Sequence, residues 1–139
     1  MMIRDFQELR VYRRAFEAAT KIYELSKRWL KEEQYALTDQ VRRSSRSVCA
    51  NIAEAWFKRR YPKHFVSKLS DAGSEASETL VWIDFARQCG YLSDQEATIL
   101  HEEYRNISGG VVKMMTQPEK WCAFSSSVRE EEVSYGSDG

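Results

Sequence analysis

Three guanidinium groups, Arg42, Arg43 and Arg46, fall within about one helical turn of one another. A string in which cations alternate with aromatics follows: Trp56, Phe57, Lys58, Arg59, Arg60, Tyr61, Pro62, Lys63, His64, Phe65. Lys and Arg hold phosphates, and aromatic rings offer faces on which bases stack, so this combination could grip a nucleic-acid strand. The candidate contacts are Arg42, Arg43, Arg46, Lys58, Arg59, Arg60 and Lys63. The same residues equally fit a plainer role, a solvated junction whose aromatics cover the end of a helical bundle. Asp39 is the one nearby carboxylate, spaced to serve Arg43 at i,i+4 or Arg42 at i,i+3; Arg46 has no acid three or four residues away.

Glu54, Glu75, Glu78, Glu102 and Glu103 raise a second chemistry, a carboxylate-bridged metal pair. Such sites need Glu-x-x-His on two helices, but Tyr61 stands three positions before His64 and Thr98 three before His101. Two histidines also supply too little imidazole for a metal site of another kind. Neither a Gly-rich phosphate loop nor a nucleophile elbow occurs, and Ser44, Ser45 and Ser47 read as helix-packing residues. The expectation is a non-enzymatic protein without metal or cofactor. Cys49, Cys89 and Cys122 are odd in number and form no CxxC pair, which suits a reducing compartment; Cys49 and Cys89 are expected to pack inertly.

The elements that must position these groups are helical. Only 6 Gly and 2 Pro occur in 139 residues, and Pro62 and Pro118 lie where helical periodicity is interrupted. In the first helix Leu9, Tyr12, Phe16, Ala19, Tyr23, Ser26 and Leu30 step by three and four beside a second row, Val11, Ala15, Ala18, Ile22, Leu25 and Trp29. Together they predict a broad buried face. Glu17 with Lys21 and Glu24 with Arg28 are spaced for i,i+4 pairs on the opposite side, and Asp5 with Glu8 resembles a start signal.

Leu37, Val41, Ser45, Val48, Ile52 and Ala55 carry the core of a second helix, whose small residues Ser44, Ser47, Ala50 and Ala53 allow close approach of a neighbour. Pro62 opens a third, with Phe65, Leu69, Ala72, Ala76, Leu80 and Ile83 inward and Gly90 as its stop. Ser93 and Glu96 make a capping box for the fourth, with Ala97, Leu100, Tyr104, Ile107, Val111 and Met114 at core spacing. Gly109 and Gly110 predict bending or fraying near its end.

The fold class that follows is all-α: an antiparallel up-down-up-down four-helix bundle with a disordered acidic C-terminal tail. One domain, 1–117, holds helices at about 6–30, 34–57, 62–89 and 94–115, and 118–139 form the tail. The charged start of the chain offers no signal-peptide core, and no stretch has the apolar length of a membrane span. A soluble, cytoplasmic protein is expected.

Charge is divided along the chain. Residues 1–68 carry 16 Lys and Arg against 8 Asp and Glu, and residues 69–139 carry 5 against 13. Each half therefore seeks an opposite partner: a nucleic acid, a neighbouring subunit or the other half of its own chain. Asp71, Glu75 and Glu78 form an acidic row on the third helix that could meet the arginines of the second, within one bundle or between subunits.

The segment Gln40-Val41-Arg42-Arg43-Ser44-Ser45-Arg46-Ser47-Val48-Cys49-Ala50-Asn51-Ile52-Ala53-Glu54 resembles the signature of the four-helix-bundle family encoded within intervening sequences of bacterial 23S ribosomal RNA genes. Phe6 to Ala15, Gly73 to Leu80 and Gly90-Tyr91-Leu92 extend the similarity, which spans about residues 4 to 115. The resemblance implies a single bundle assembling as a homopentameric ring, without catalytic residues. Accessory variability proteins of diversity-generating retroelements share that design and work with a reverse transcriptase and nucleic acid. Arg42, Arg43 and Arg46 match the family's basic positions, and Asn51 with Glu54 its polar pair. Ala55 and Trp56 stand where the family usually has Gly, and the acidic tail has no counterpart. The implied function is a homo-oligomeric scaffold or adaptor that contacts RNA or DNA; the alternative is a pure protein-interaction module whose charges serve subunit assembly.

Overall fold

The computed structural model describes residues 2–122. Four long helices, α1 (Arg10–Ser26), α2 (Asp39–Phe57), α3 (Pro62–Gln88) and α4 (Asp94–Met115), are followed by one short turn of helix, α5 (Pro118–Trp121), and no strand occurs among the described residues. α1 packs on α2 and α4, and α3 on the same two, so the four surround one core. Cross-helix contacts pair rising numbers on one helix with falling numbers on the next. Lys21 of α1 and Arg28 just beyond it meet Glu103 and Glu96 of α4; Arg43 and Glu54 of α2 meet Glu78 and Lys68 of α3.

The predicted core rows of α2 and α4 are buried throughout. On α3 the inward set is Phe65, Leu69, Ala72, Ala76, Thr79, Ile83 and Ala86, with Leu80 only partly buried. Ala72 and Ala76 leave room for α2, where Ser44 and Ser45 are fully buried. The Thr79 and Ser44 hydroxyls stand 2.8 Å apart across that seam, so neither polar group is buried without a partner.

α1 departs from its predicted bounds. Asp5 accepts the Phe6 N–H at 2.8 Å and starts a separate 3₁₀ turn, Phe6–Glu8, before Leu9 adopts extended backbone. Glu8 reaches back to the Arg4 N–H at 2.6 Å, one residue short of the reciprocal bond of a capping box. At the far end the Ser26 hydroxyl donates to the Tyr23 carbonyl, a local bond that competes with continued helix. Gln34–Thr38 form a π-helical turn that leads into α2.

The remaining boundaries have local causes. Pro62 occupies the first turn of α3, where its missing N–H leaves no bond unmade. Gly90 takes φ 82°, the left-handed conformation that favours glycine after a helix. Ser93 and Glu96 form the reciprocal capping box of α4. Gly109 and Gly110 do not end that helix, which runs on to Met115; a Cβ on Gly110 would lie 3.2 Å from the Val11 side chain, so the missing side chain admits α1. Packing also continues past Gln117, the expected end of the domain, because Cys122 is buried and Trp121 lies against the core. The acidic tail expected from Ala123 onward lies outside the described residues.

Candidate nucleic-acid interface

The three arginines of α2 share a turn but not a destination. Arg42 donates its Nε–H to Ser26 Oγ at 2.8 Å and sits over the Tyr23 ring at 4.7 Å; Arg46 lies over the same ring at 5.6 Å. Both therefore lean on α1. Arg43 points the other way and pairs with Glu78 of α3, with Glu75 at 3.7 Å. Trp82 donates its indole N–H to the same Glu78 carboxylate at 3.0 Å, which fixes the acceptor. The expected pairing of Arg42 or Arg43 with Asp39 does not form, because α3 offers carboxylates directly across the seam.

The same substitution of partner occurs on α1. Lys21 pairs with Glu103 and Arg28 with Glu96, both on α4, in place of the expected Glu17 and Glu24 along their own helix. Arg28 Nη2 reaches both oxygens of Glu96, at 2.8 and 2.7 Å. The Ser93 backbone N–H, reinforced by the Arg28 hydrogen bond, holds the Glu96 carboxyl below the usual carboxylate range. Lys21, Arg28 and Arg43 of the basic half thus meet carboxylates of the acidic half inside one bundle.

The other predicted cations gather elsewhere. Lys58, Arg59 and Arg60 lie in the α2–α3 junction and Lys63 on the first turn of α3. Arg59 stacks on Trp56 at 3.5 Å and donates its Nε–H to the Trp56 carbonyl at 2.8 Å. Burial lowers its pKa from the ordinary arginine value. Trp56 itself is buried beside Ala55, so the bulky pair closes this end of the core. Because neighbours run antiparallel, the chain start, the α4 terminus and α5 share this end, bringing Arg10, Lys113 and Lys120 toward the junction. Those three were not among the residues read from sequence; Gly110, which lets α1 and α4 meet closely at Val11, is the signal that could have linked Arg10 to Lys113. Arg46 and Arg59 are separated by about 20 Å along α2, so the seven candidates form two regions.

A groove of about 480 Å³ runs along the outer seam of α1 and α2, lined by Phe6, Tyr12, Phe16, Tyr23, Arg46 and Cys49 among others. Phe16 and Tyr23 were expected in the core; they are 55% and 36% exposed, because the row of Val11, Ala15, Ala18 and Ile22 fills the interior instead. Cys49 is buried, and burial pushes its thiol up to about 11, which suits the inert role. Cys89, expected to pack in the same way, is exposed just after α3, where the helix has already ended.

Asn51 donates to the Ser47 carbonyl at 2.9 Å, and Glu54 accepts Lys68 at 2.8 Å. His101 lies 2.7 Å from Asp84, and no group of metal-ligating side chains occurs among the described residues. No helix of the described residues is long and apolar enough to cross a membrane.

Four long helices around one apolar core define the class of this molecule: an all-α helical bundle. The chain belongs to the 23S rRNA-intervening sequence protein family, whose model matches residues 7–113. It is also similar to a crystal structure, at 1.70 Å resolution, of a protein of unknown function from Bacteroides thetaiotaomicron, described as of the S23 ribosomal protein family. That pair shares 25% identity with a TM-score of 0.69, over 76% of this chain and 95% of the other. No curated protein matches the chain.

Proposed function

We propose that this protein is a non-enzymatic, homo-oligomeric scaffold or adaptor, a pentameric ring by family resemblance, that contacts RNA or DNA through its cation-rich bundle end. The observation that carries the reading is the run of Lys58, Arg59, Arg60 and Lys63 beside the buried Trp56, at the bundle end that also holds Arg10, Lys113 and Lys120. Phosphate binding needs such a cluster, and aromatic faces add stacking. The outward Phe16 and Tyr23 of the α1–α2 groove support self-assembly, since apolar surface contributes affinity where exposed ion pairs contribute little. Free thiols at Cys49, Cys89 and Cys122 suit a cytoplasmic setting.

The rival is a protein-interaction module whose cations serve subunit contacts alone. It is favoured by the pairing of Arg43 with Glu75 and Glu78, which leaves that side chain little freedom to meet phosphate. A salt series on a labelled single-stranded RNA, run beside light scattering, separates the two. Under our reading affinity falls steeply with salt, and Lys58→Ala with Lys63→Ala lowers the logarithmic slope by about 1.4 while the oligomer persists. No retention of RNA or DNA at low salt removes the nucleic-acid part, and a monomer at high concentration removes the scaffold.

A further inference from the structure

α3 is apolar or small on two sides. Its inner row fills the core, yet Val81 and Phe85 on the opposite side are 47% and 54% exposed, and the same outward row continues back through Ser77, Ser74 and Ser70. A helix that is apolar on both sides is normally covered on both, whereas a surface helix turns charge to water. From Leu69 to Ala86 this helix carries Asp71, Glu75, Glu78 and Asp84 and no cation. Glu75 and Glu78 turn to Arg43. Asp84 meets His101 at 2.7 Å but keeps 58% of its side chain exposed beside Phe85. The outward side of α3 is thus an apolar ridge with a carboxylate along it.

The α1–α2 groove is its complement in shape and charge. Ala19, Cys49, Ala50 and Ala53 line it with short side chains beside the rings of Tyr12 and Phe16, and no carboxylate lines it. Arg46 stands at one end, where it shares the Tyr23 ring with Arg42 and Lys27. Arg42 and Arg46 form no ion pair among the described residues. Val81 and Phe85 lie one helical turn apart, about 6 Å, as do Arg46 and Ala50. A Phe85 ring set over Ala50 therefore brings Asp84 within a turn of Arg46. The ridge cannot enter the groove of its own copy, because α1 and α3 both pack on α2 and α4 and so stand diagonally across the core.

We propose that the α1–α2 groove receives the α3 ridge of a second copy, with Val81 and Phe85 on the alanine-lined seam and Asp84 facing Arg46. The inference rests on the homo-oligomeric reading and names the two surfaces through which copies meet. Groove and ridge are different surfaces, so the contact is head-to-tail: each copy uses both, and repetition closes a ring or extends a filament. Apolar contact supplies the affinity, and the charges set register and partner.

Cysteine cross-linking tests the geometry and light scattering the assembly, both on the full chain with Cys89→Ser to remove the exposed native thiol. Ala50 and Val81 are exposed, so cysteine is tolerated at each. Ala50→Cys with Val81→Cys in one chain should give a ladder of covalent oligomers on oxidation, and either change alone should give single chains on a denaturing gel. Ala50→Glu and Phe85→Glu should each reduce the scattering mass to one chain with helix content unchanged. Arg46→Asp and Asp84→Arg should each weaken assembly several-fold, and the two together should restore it. If the glutamate variants misfold, the cysteine pair in an otherwise parental chain still decides. An oligomer that yields no ladder and keeps its mass in Ala50→Glu and Phe85→Glu overturns the proposal while the scaffold reading stands. Dimers from Ala50→Cys alone overturn it too, because they place groove against groove. A parent that stays monomeric at high concentration removes both.

Discussion

The waist of the bundle and its cation-rich end start from the same surplus of Lys and Arg and treat it in opposite ways. Away from that end, Lys21 and Arg43 face carboxylates of the chain's second half across the α1–α4 and α2–α3 seams, and Arg28 meets Glu96 at the top of the α1–α4 seam. At the end, the acidic positions of α3 and α4 are out of reach: Asp71, Glu75, Glu78 and Asp84 follow the basic first turns of α3, and Asp94, Glu96, Glu102 and Glu103 precede Lys113. Antiparallel packing converts a division between sequence halves into a gradient along the bundle axis. Charge near the middle sets which helices face each other; at the end, Arg10, Lys113 and Lys120 stand exposed.

The comparison sharpens if stability and binding separate between the two regions. The largest effect is expected in the core they share: Phe65→Ala removes a fully buried ring and should cost about 3–5 kcal/mol in urea unfolding. Arg60→Ala, an exposed residue of the end, should change stability by less than about 0.5 kcal/mol in the same measurement. Equal losses from the two substitutions would mean that the end is a structural part of the core.

Next in size is the buried hydroxyl pair of the waist. Thr79→Val leaves Ser44 without its cross-seam partner and should cost about 1–2 kcal/mol. Ser44→Ala added to it should cost less than the sum of the single changes, because each single change already breaks the one cross-seam bond, although the Ser44 hydroxyl keeps the Val41 carbonyl. Strict additivity in this cycle would show that the two hydroxyls do not act together.

How legible this was depends on the range of the interaction. The rows Val41, Ser45, Val48, Ile52 and Leu100, Tyr104, Ile107, Val111 declare their helices because three-four spacing is local and one face is wholly buried. Two apolar rows on α1 predicted one broad buried face, yet Phe16 and Tyr23 lie outside it, since the smaller Ala15 and Ala18 fit between helices. Partner choice was legible only between α2 and α3, where the acidic row meets Arg43 through Glu75 and Glu78; on α1, spacing offers Lys21 its own Glu17, whereas Glu103 lies 82 residues away. Of the candidate site, the junction cations were readable as a run. Their company of Arg10, Lys113 and Lys120 depends on helix order, which no single stretch encodes.

Arg43→Ala separates the regions more finely. Its side chain is 52% exposed, so loss of the Glu78 and Glu75 pairing should cost only about 0.5 kcal/mol. Retention on labelled RNA should change less than with Lys63→Ala, since the guanidinium already serves α3. A larger loss of RNA binding from Arg43→Ala would move the interface from the end to the waist.

The smallest effect is a pH dependence at the top of the α1–α4 seam. The Ser93 backbone N–H and Arg28 hold the Glu96 carboxyl below its ordinary value, so the charged form is favoured on folding. Its contribution to stability is complete above the unfolded value of about 4.3 and is lost as pH falls through the lower folded value. Arg28→Ala should therefore reduce stability at pH 6 by less than about 0.5 kcal/mol, with the gap to the parent closing as pH falls through the lowered folded value. Lys113→Ala, at the opposite end, should leave the acid limb of the curve parallel to the parent's. If both variants changed that limb alike, the gradient along the axis would be a property of net charge and not of the pairs that the waist brings together.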